Sequence, residues 1–217
     1  MGVRPWPSLL LVGPTGSGKT PLGDELERRG FLSRRCVHFD FGANLRAIAA
    51  APEKANVLTA TEFESVRTSL GTGALFEDND LPMIVKIVKR FAEARDLTAD
   101  SLLVLNGLPR HRRQAEGLAA VVAVERVVVL QAPAAVIRER IRLDPGGDRS
   151  ARADDALEAV EKRLAVFRER TAPLVSFYRE RRALIVEIPV TPSMTAAEAY
   201  QALVERVASS GRPVTER

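Results

Sequence analysis

Eight residues carry the strongest chemical signal in this chain: Gly13, Pro14, Thr15, Gly16, Ser17, Gly18, Lys19 and Thr20. Glycines at 13 and 18 followed by lysine and a hydroxyl residue have the spacing of a loop that wraps a phosphate. Such glycines let successive backbone N–H groups turn inward toward an anion. A helix starting at Lys19 would add its free N–H groups and the positive end of its dipole. Lys19 can reach the outer phosphates of a triphosphate, and the Thr20 hydroxyl can take one position on Mg²⁺. The loop follows Leu9 to Val12, a short apolar run that reads as a buried strand. A nucleoside triphosphate is the ligand this context predicts.

Positioning that loop requires a sheet and its helices. Five apolar runs of strand length occur, at Leu9 to Val12, Cys36 to Phe39, Leu102 to Leu105, Val127 to Gln131 and Leu184 to Ile188. Strands apolar throughout are covered on both faces. Helical patterns lie between them: Lys19 to Arg29, Asn44 to Ala51, Thr61 to Leu70, Leu81 to Leu97, Arg113 to Val122, Ala134 to Leu143, Asp154 to Arg181 and Ala196 to Ala208. Alternation of this kind predicts an α/β fold with a parallel sheet flanked by helices. The expected strand order is 2-3-1-4-5. Phe41 to Ser101 is far longer than one crossover helix needs and predicts a small helical insert. Asp144 to Arg152 is polar and Gly-rich, as a loop between helices would be. One domain over residues 1–210 is expected, with a tail at 211–217.

Composition bounds the function. With 46% hydrophobic and 28% charged residues the chain is of soluble, globular type. No apolar run reaches the roughly 18 residues of a membrane span, and the start of the chain does not read as a signal peptide. A lone cysteine, Cys36, predicts a reduced, cytoplasmic setting. Net charge is +4 and aromatics are 5%, with no basic patch interleaved with aromatics, so nucleic acid is not an expected partner. His38 reads as a satisfied strand-end histidine and His111 as a surface one.

Three further segments resemble a known family. His38, Phe39, Asp40, Phe41, Gly42, Ala43, Asn44, Leu45 and Arg46 resemble the stretch H-x-S-T-G-D-x-L-R of adenylate kinase-type nucleoside monophosphate kinases. Asn106, Gly107, Leu108, Pro109 and Arg110, with Gln114, Ala115 and Glu116 behind, resemble that family's D-G-F-P-R-x-x-x-Q-A-E. Arg152, Asp154, Asp155, Glu158, Arg163 and Leu164, then Thr171, Pro173, Leu174 and Tyr178, resemble R-x-D-D-x-x-E-x-x-x-x-R-L followed by T-x-P-L-x-x-Y-Y. The resemblance runs from Leu9 to about Pro189. It implies a P-loop fold, ATP and Mg²⁺, and transfer of the γ-phosphate to a nucleoside monophosphate, AMP foremost.

The resemblance also implies roles. Gly13, Thr15, Gly16, Ser17, Gly18, Lys19 and Thr20 hold the ATP phosphates, and Arg142 stacks on the donor base. Arg46 and Arg110 hold the acceptor's phosphate, and Gln114 hydrogen-bonds its base. Lys19, Arg110, Arg152 and Arg163 clamp the transferring phosphoryl group. Thr20, Asn106 and Asp40 face the metal. Residues 41–100 form the acceptor-binding insert, residues 144–152 a short lid, and the kinase works as a monomer. The chain departs from the family at Asn106, where an aspartate is usual, and at Asp40, Phe41 and Ala43, where serine, threonine and aspartate are usual. Gly146 stands where one lid arginine is expected. These departures leave two alternatives open: a P-loop kinase for another small acceptor, and a nucleotide-binding regulator of weak activity.

Overall fold

In the computed structural model, residues 4–51, 58–147 and 157–210 are described. The chain alternates β1 (Trp6–Val12), α1 (Lys19–Arg29), β2 (Cys36–Asp40), α2 (Phe41–Ala50), α3 (Ala60–Thr72), α4 (Leu81–Ala94), β3 (Leu102–Asn106), α5 (Arg112–Leu118), β4 (Val122–Gln131), α6 (Ala134–Leu143), α7 (Leu157–Val166), α8 (Leu174–Glu180), β5 (Leu184–Pro189) and α9 (Ala196–Ser210). The five strands form one parallel sheet in the order β2-β3-β1-β4-β5. This is the order expected from the sequence.

Alternation along the strands builds two cores. On one face, Leu9 and Leu11 of β1 and Leu102 and Val104 of β3 meet Leu22 and Leu26 of α1 and Leu203 of α9. On the other, Leu10, Val12, Leu103 and Leu105 meet Ile84, Ile87 and Val88 of α4, Leu118 of α5 and Phe177 of α8. Side chains of successive strand residues point to opposite faces, so an unbroken apolar run supplies both layers. Ile137 of α6, Val160 and Leu164 form a third, smaller cluster.

The long segment after β2 holds α2 and α3, which pack on each other. α4 returns to the sheet and is part of its apolar cover. Asp40 starts α2 by accepting a hydrogen bond from the Ala43 N–H, and Thr59 and Glu62 start α3 with a reciprocal capping box.

Three elements differ from expectation. β4 begins at Val122, not Val127, because exposed and part-buried residues alternate over 123–126 beyond the apolar run. The helix expected over Arg113 to Val122 therefore ends at Leu118. The long helix expected to reach Arg181 breaks at a five-residue π-helical turn, Phe167–Thr171. Pro173 has no N–H to donate and crowds the preceding turn, and the bond from Ala172 N–H to the Phe167 carbonyl widens the helix just before it. The expected lid beyond Gly147, the start of the helix at Asp154, Arg149, Arg152 and the tail at 211–217 lie outside the described residues. Among the described residues, no helix is long and apolar enough to cross a membrane.

Candidate active site

β1, β2 and β3 end side by side. Asn106 is in register with Leu11 on one side and Asp40 on the other. The loop from Gly13 to Thr20 leaves the end of β1, so the glycine-rich turn, the Asp40 carboxylate and the Asn106 amide share the carboxyl edge of the sheet. Ligands of open parallel sheets bind at this edge.

The loop has the backbone its sequence predicts. Gly16 and Gly18 take φ of 75° and 93°, a left-handed region that suits glycine. A Cβ on Gly13 would lie 2.6 Å from Ser17 Oγ and 3.0 Å from the Leu130 carbonyl oxygen, so no side chain fits there. Ser17 Oγ is buried without a hydrogen-bond partner. A buried hydroxyl left unsatisfied costs free energy; a phosphate oxygen in the loop would satisfy it. The Lys19 ammonium donates to the carbonyls of Gly13 (2.7 Å) and Pro14 (2.8 Å) and so lies over the turn. Thr15 and Thr20 are half-buried along the same turn.

Thr20, Asp40 and Asn106 form one cluster. Thr20 Oγ1 donates to Asp40 Oδ2 at 2.7 Å. Asn106 Nδ2 donates to Asp40 Oδ2 at 2.9 Å and to Thr20 Oγ1 at 3.0 Å. Behind Asn106 stands His38, whose Nε2 is 3.4 Å from Asn106 Nδ2 and whose Nδ1 is 2.8 Å from Asp24 Oδ1. The ring needs the space left by Gly23 of α1, where a Cβ would come within 2.2 Å of Nε2. His38 is the satisfied histidine that the sequence suggests. One hydroxyl and one carboxylate suit Mg²⁺, which keeps several waters and takes much of its coordination from a nucleotide's phosphates.

The arginines fall into three groups. Arg110, just after β3, and Arg163 of α7 lie close enough to repel each other. Arg110 is held below the usual arginine range, chiefly by the protein that crowds its head group and then by Arg163, while Asp40 pulls the other way. The Arg110 side chain still faces water. Arg46 of α2 is exposed; a Cβ on Gly42 would lie 3.3 Å from its Nη1 and 3.4 Å from Asp40 Oδ1, so both groups border the same open face of Gly42. Arg152 is outside the described residues.

Arg142 is not brought to the site. It is exposed on α6 and paired with Glu139 at 2.6 Å. Its neighbour Arg140 does reach the loop. Arg140 is only 5% exposed, and its guanidinium donates to the carbonyls of Gly16 (3.1 Å), Thr191 (2.7 Å) and Met194 (2.9 Å). The helical pattern holds the signal for this: with Ile137 and Ile141 facing inward, position 140 also turns toward the core, and position 142 turns away.

Gln114 is also placed differently from the role its motif implies. It is 2% exposed. Its Oε1 accepts from the Arg110 N–H at 2.9 Å, and its Nε2 donates to the Phe76 carbonyl at 2.8 Å. The expected surface histidine, His111, is buried, with Nε2 3.3 Å from that same carbonyl. Sequence periodicity could not show this, because Phe76 belongs to the insert and meets α5 only in the fold. The broadest surface groove lies between β5 and α9, along Ile185, Glu187, Glu205 and Arg206, and contains none of these groups.

Comparisons with known proteins agree with this arrangement. The family model for an AAA domain matches residues 12–161. The adenylate kinase of Porphyromonas gingivalis is 30% identical over 184 residues, covering 82% of this chain and 84% of the relative. The adenylate kinase of Parasynechococcus marenigrum is 32% identical over 182 residues, covering 82% and 87%. Among solved structures, a gluconokinase from Sinorhizobium meliloti superposes with a TM-score of 0.55 at 16% identity, covering 96% of this chain and 95% of that one. A sugar kinase from Janibacter covers 94% and 95% with a TM-score of 0.54 at 14% identity. At such identities the structures speak for the fold alone. The sequence relatives, matched across four fifths of the chain and through the phosphate loop, place it in the adenylate kinase family of ATP-dependent P-loop kinases.

Proposed function

We propose that this kinase transfers the γ-phosphate of ATP to the phosphate of a nucleoside monophosphate, with AMP the foremost acceptor, and that it uses Mg²⁺. The observation that carries this reading is the crowding of Arg110 and Arg163 beside Asp40 at the edge of the phosphate loop. Two guanidiniums held together at a cost suit a group that arrives with concentrated negative charge.

Phosphoryl transfer asks for positioning and charge more than for covalent chemistry. The backbone of Gly13 to Gly18, Ser17 Oγ and Lys19 would hold the triphosphate. Thr20 would bind Mg²⁺ directly, with Asp40 and Asn106 holding its waters; the metal would draw charge from the phosphates. Arg46 and Arg110 would hold the acceptor's phosphate, and Arg163 with Arg152 would clamp the group in transit. Residues 41–100 would serve as the acceptor-binding insert and residues 144–152 as a short lid.

A second reading has its own observation. Asp40 puts a carboxylate where it could accept a proton from a hydroxyl acceptor. A coupled assay of ADP formation separates the readings. Turnover with AMP supports the first. Turnover only with hydroxyl compounds such as small sugars supports the second. ATP binding without ADP formation from any acceptor defeats both and leaves a nucleotide-binding regulator.

A further inference from the structure

We propose that the acceptor site reads the phosphate of its nucleotide and not the base, so that nucleoside monophosphates of different bases are phosphorylated with similar efficiency. This rests on the nucleotide reading given above. The side chain best suited to reading a base in this part of the molecule is Gln114, and its amide is already engaged. It is 2% exposed, its oxygen holds the Arg110 N–H, and its nitrogen holds the Phe76 carbonyl. Turning the amide toward a ligand would strip two backbone groups of their partner in a buried place, which buried polar groups resist.

The wall beside it offers no substitute. Phe41 and Phe76, 5% and 6% exposed, meet edge to face at 5.7 Å, and Phe39 lies behind Phe41 at 6.1 Å. Aromatic side chains of this kind carry no donor or acceptor. Their contact with a flat ring is much the same for every base, since each base has a π-face. The groups that do face the cleft are charged: Arg46 and Arg110 are exposed and Arg163 is half-buried. They can tell a phosphate from its absence and cannot tell adenine from uracil.

Magnitudes separate the two kinds of site. A site built to hydrogen-bond its substrate rejects a mismatched analogue by about 10⁴–10⁵, whereas an apolar surface discriminates by only about 10–200-fold. Gln114 becomes a positioning residue. It fixes the backbone from which Arg110 projects and ties that backbone to the insert at Phe76.

The test is kcat/KM for AMP, GMP, CMP and UMP with the wild-type chain. A spread below about 200-fold across the four supports the proposal, and a larger preference for one base overturns it. Absence of ADP formation with all four overturns the nucleotide reading itself, and this proposal with it, so the two failures are distinguishable. Gln114→Glu gives a second arm, because a carboxylate cannot donate to the Phe76 carbonyl. Loss of kcat/KM by the same factor for all four acceptors supports the positioning role; a changed ranking of bases overturns it. Should that variant not fold, the wild-type panel decides alone.

Discussion

Thr20 and Asp40, one in the first turn of α1 and the other at the end of β2, meet through a hydrogen bond of 2.7 Å from the threonine hydroxyl to the carboxylate. The residue at the end of β3, between them and the sheet, is Asn106, whose amide donates to both. The cluster thus holds a single negative charge, and it comes from β2.

Asp40→Asn should therefore lower kcat by about 10–100-fold and raise the Mg²⁺ concentration needed for half-maximal rate. Asparagine caps α2 as well as aspartate does, so stability should hardly change. Adding Asn106→Asp should restore part of the rate by returning a carboxylate to the cluster. A Mg²⁺ titration of the coupled assay reads this out, and an unchanged titration curve would remove Asp40 from the metal side of the site.

Arg110 and Arg163 oppose each other in the free protein. Arg163→Gln relieves that repulsion, so the free variant should melt no lower than the wild type while kcat falls by about 10²–10³. Inorganic phosphate should raise the melting temperature of the wild type more than that of the variant, through binding to the folded state alone. Equal stabilisation of both would show that Arg163 does not help to hold an anion.

Arg140 bonds three separate carbonyls from inside the protein. Arg140→Met keeps much of the volume and removes every donor. Loss of about 2–5 kcal/mol is expected for buried groups left unpaired, or roughly 5–15 °C in melting temperature for a chain of this size. ATP affinity should fall as well, because the Gly16 peptide loses its anchor. Calorimetry with and without ATP measures both. Arg142→Met should change neither, and a larger effect at 142 than at 140 would refute the assignment.

Burial sets the alkaline behaviour. The Cys36 thiol is pushed up to about 12, mainly by desolvation, with Glu27 adding and Arg34 opposing, and burial likewise raises the Tyr178 phenol. A raised folded value means that the folded chain binds more protons than the unfolded one in alkali. This contribution to stability is complete below pH about 9 and is lost as pH climbs toward 12. Urea midpoints should therefore decline from pH 9 upward. Thiol labelling at pH 8 should be at least about 100-fold slower in the native protein than in urea. Labelling at equal rates would show that Cys36 is not held in the core.

Much of this was legible in the sequence, for physical reasons. Strands covered on both faces must be apolar throughout, so all five were visible as runs, and the phosphate loop needs glycine at fixed places. Arg140 and Gln114 were harder to read. A buried arginine and an exposed one look alike until the phase of α6 is fixed against Ile137 and Ile141. The engagement of Gln114 depends on the Phe76 carbonyl, 38 residues earlier, and no local pattern encodes that distance. The π-helical turn at Phe167–Thr171 had a partial cue in Pro173, whose effect on a long helix is to break or widen it.

The reach of Arg140 has a bearing on how the chain is made. Its partners are Gly16, at the start of the protein, and Thr191 and Met194, near its end. Synthesis runs from the N-terminus, and the loop that grips a triphosphate emerges among the first residues. That loop acquires its brace only after the ribosome has released the segment beyond β5. A nascent chain halted before Thr191 has every residue of the phosphate-binding motif and lacks the anchor that sets its shape, so competence to bind nucleotide arrives late in translation, with the closing of the sheet.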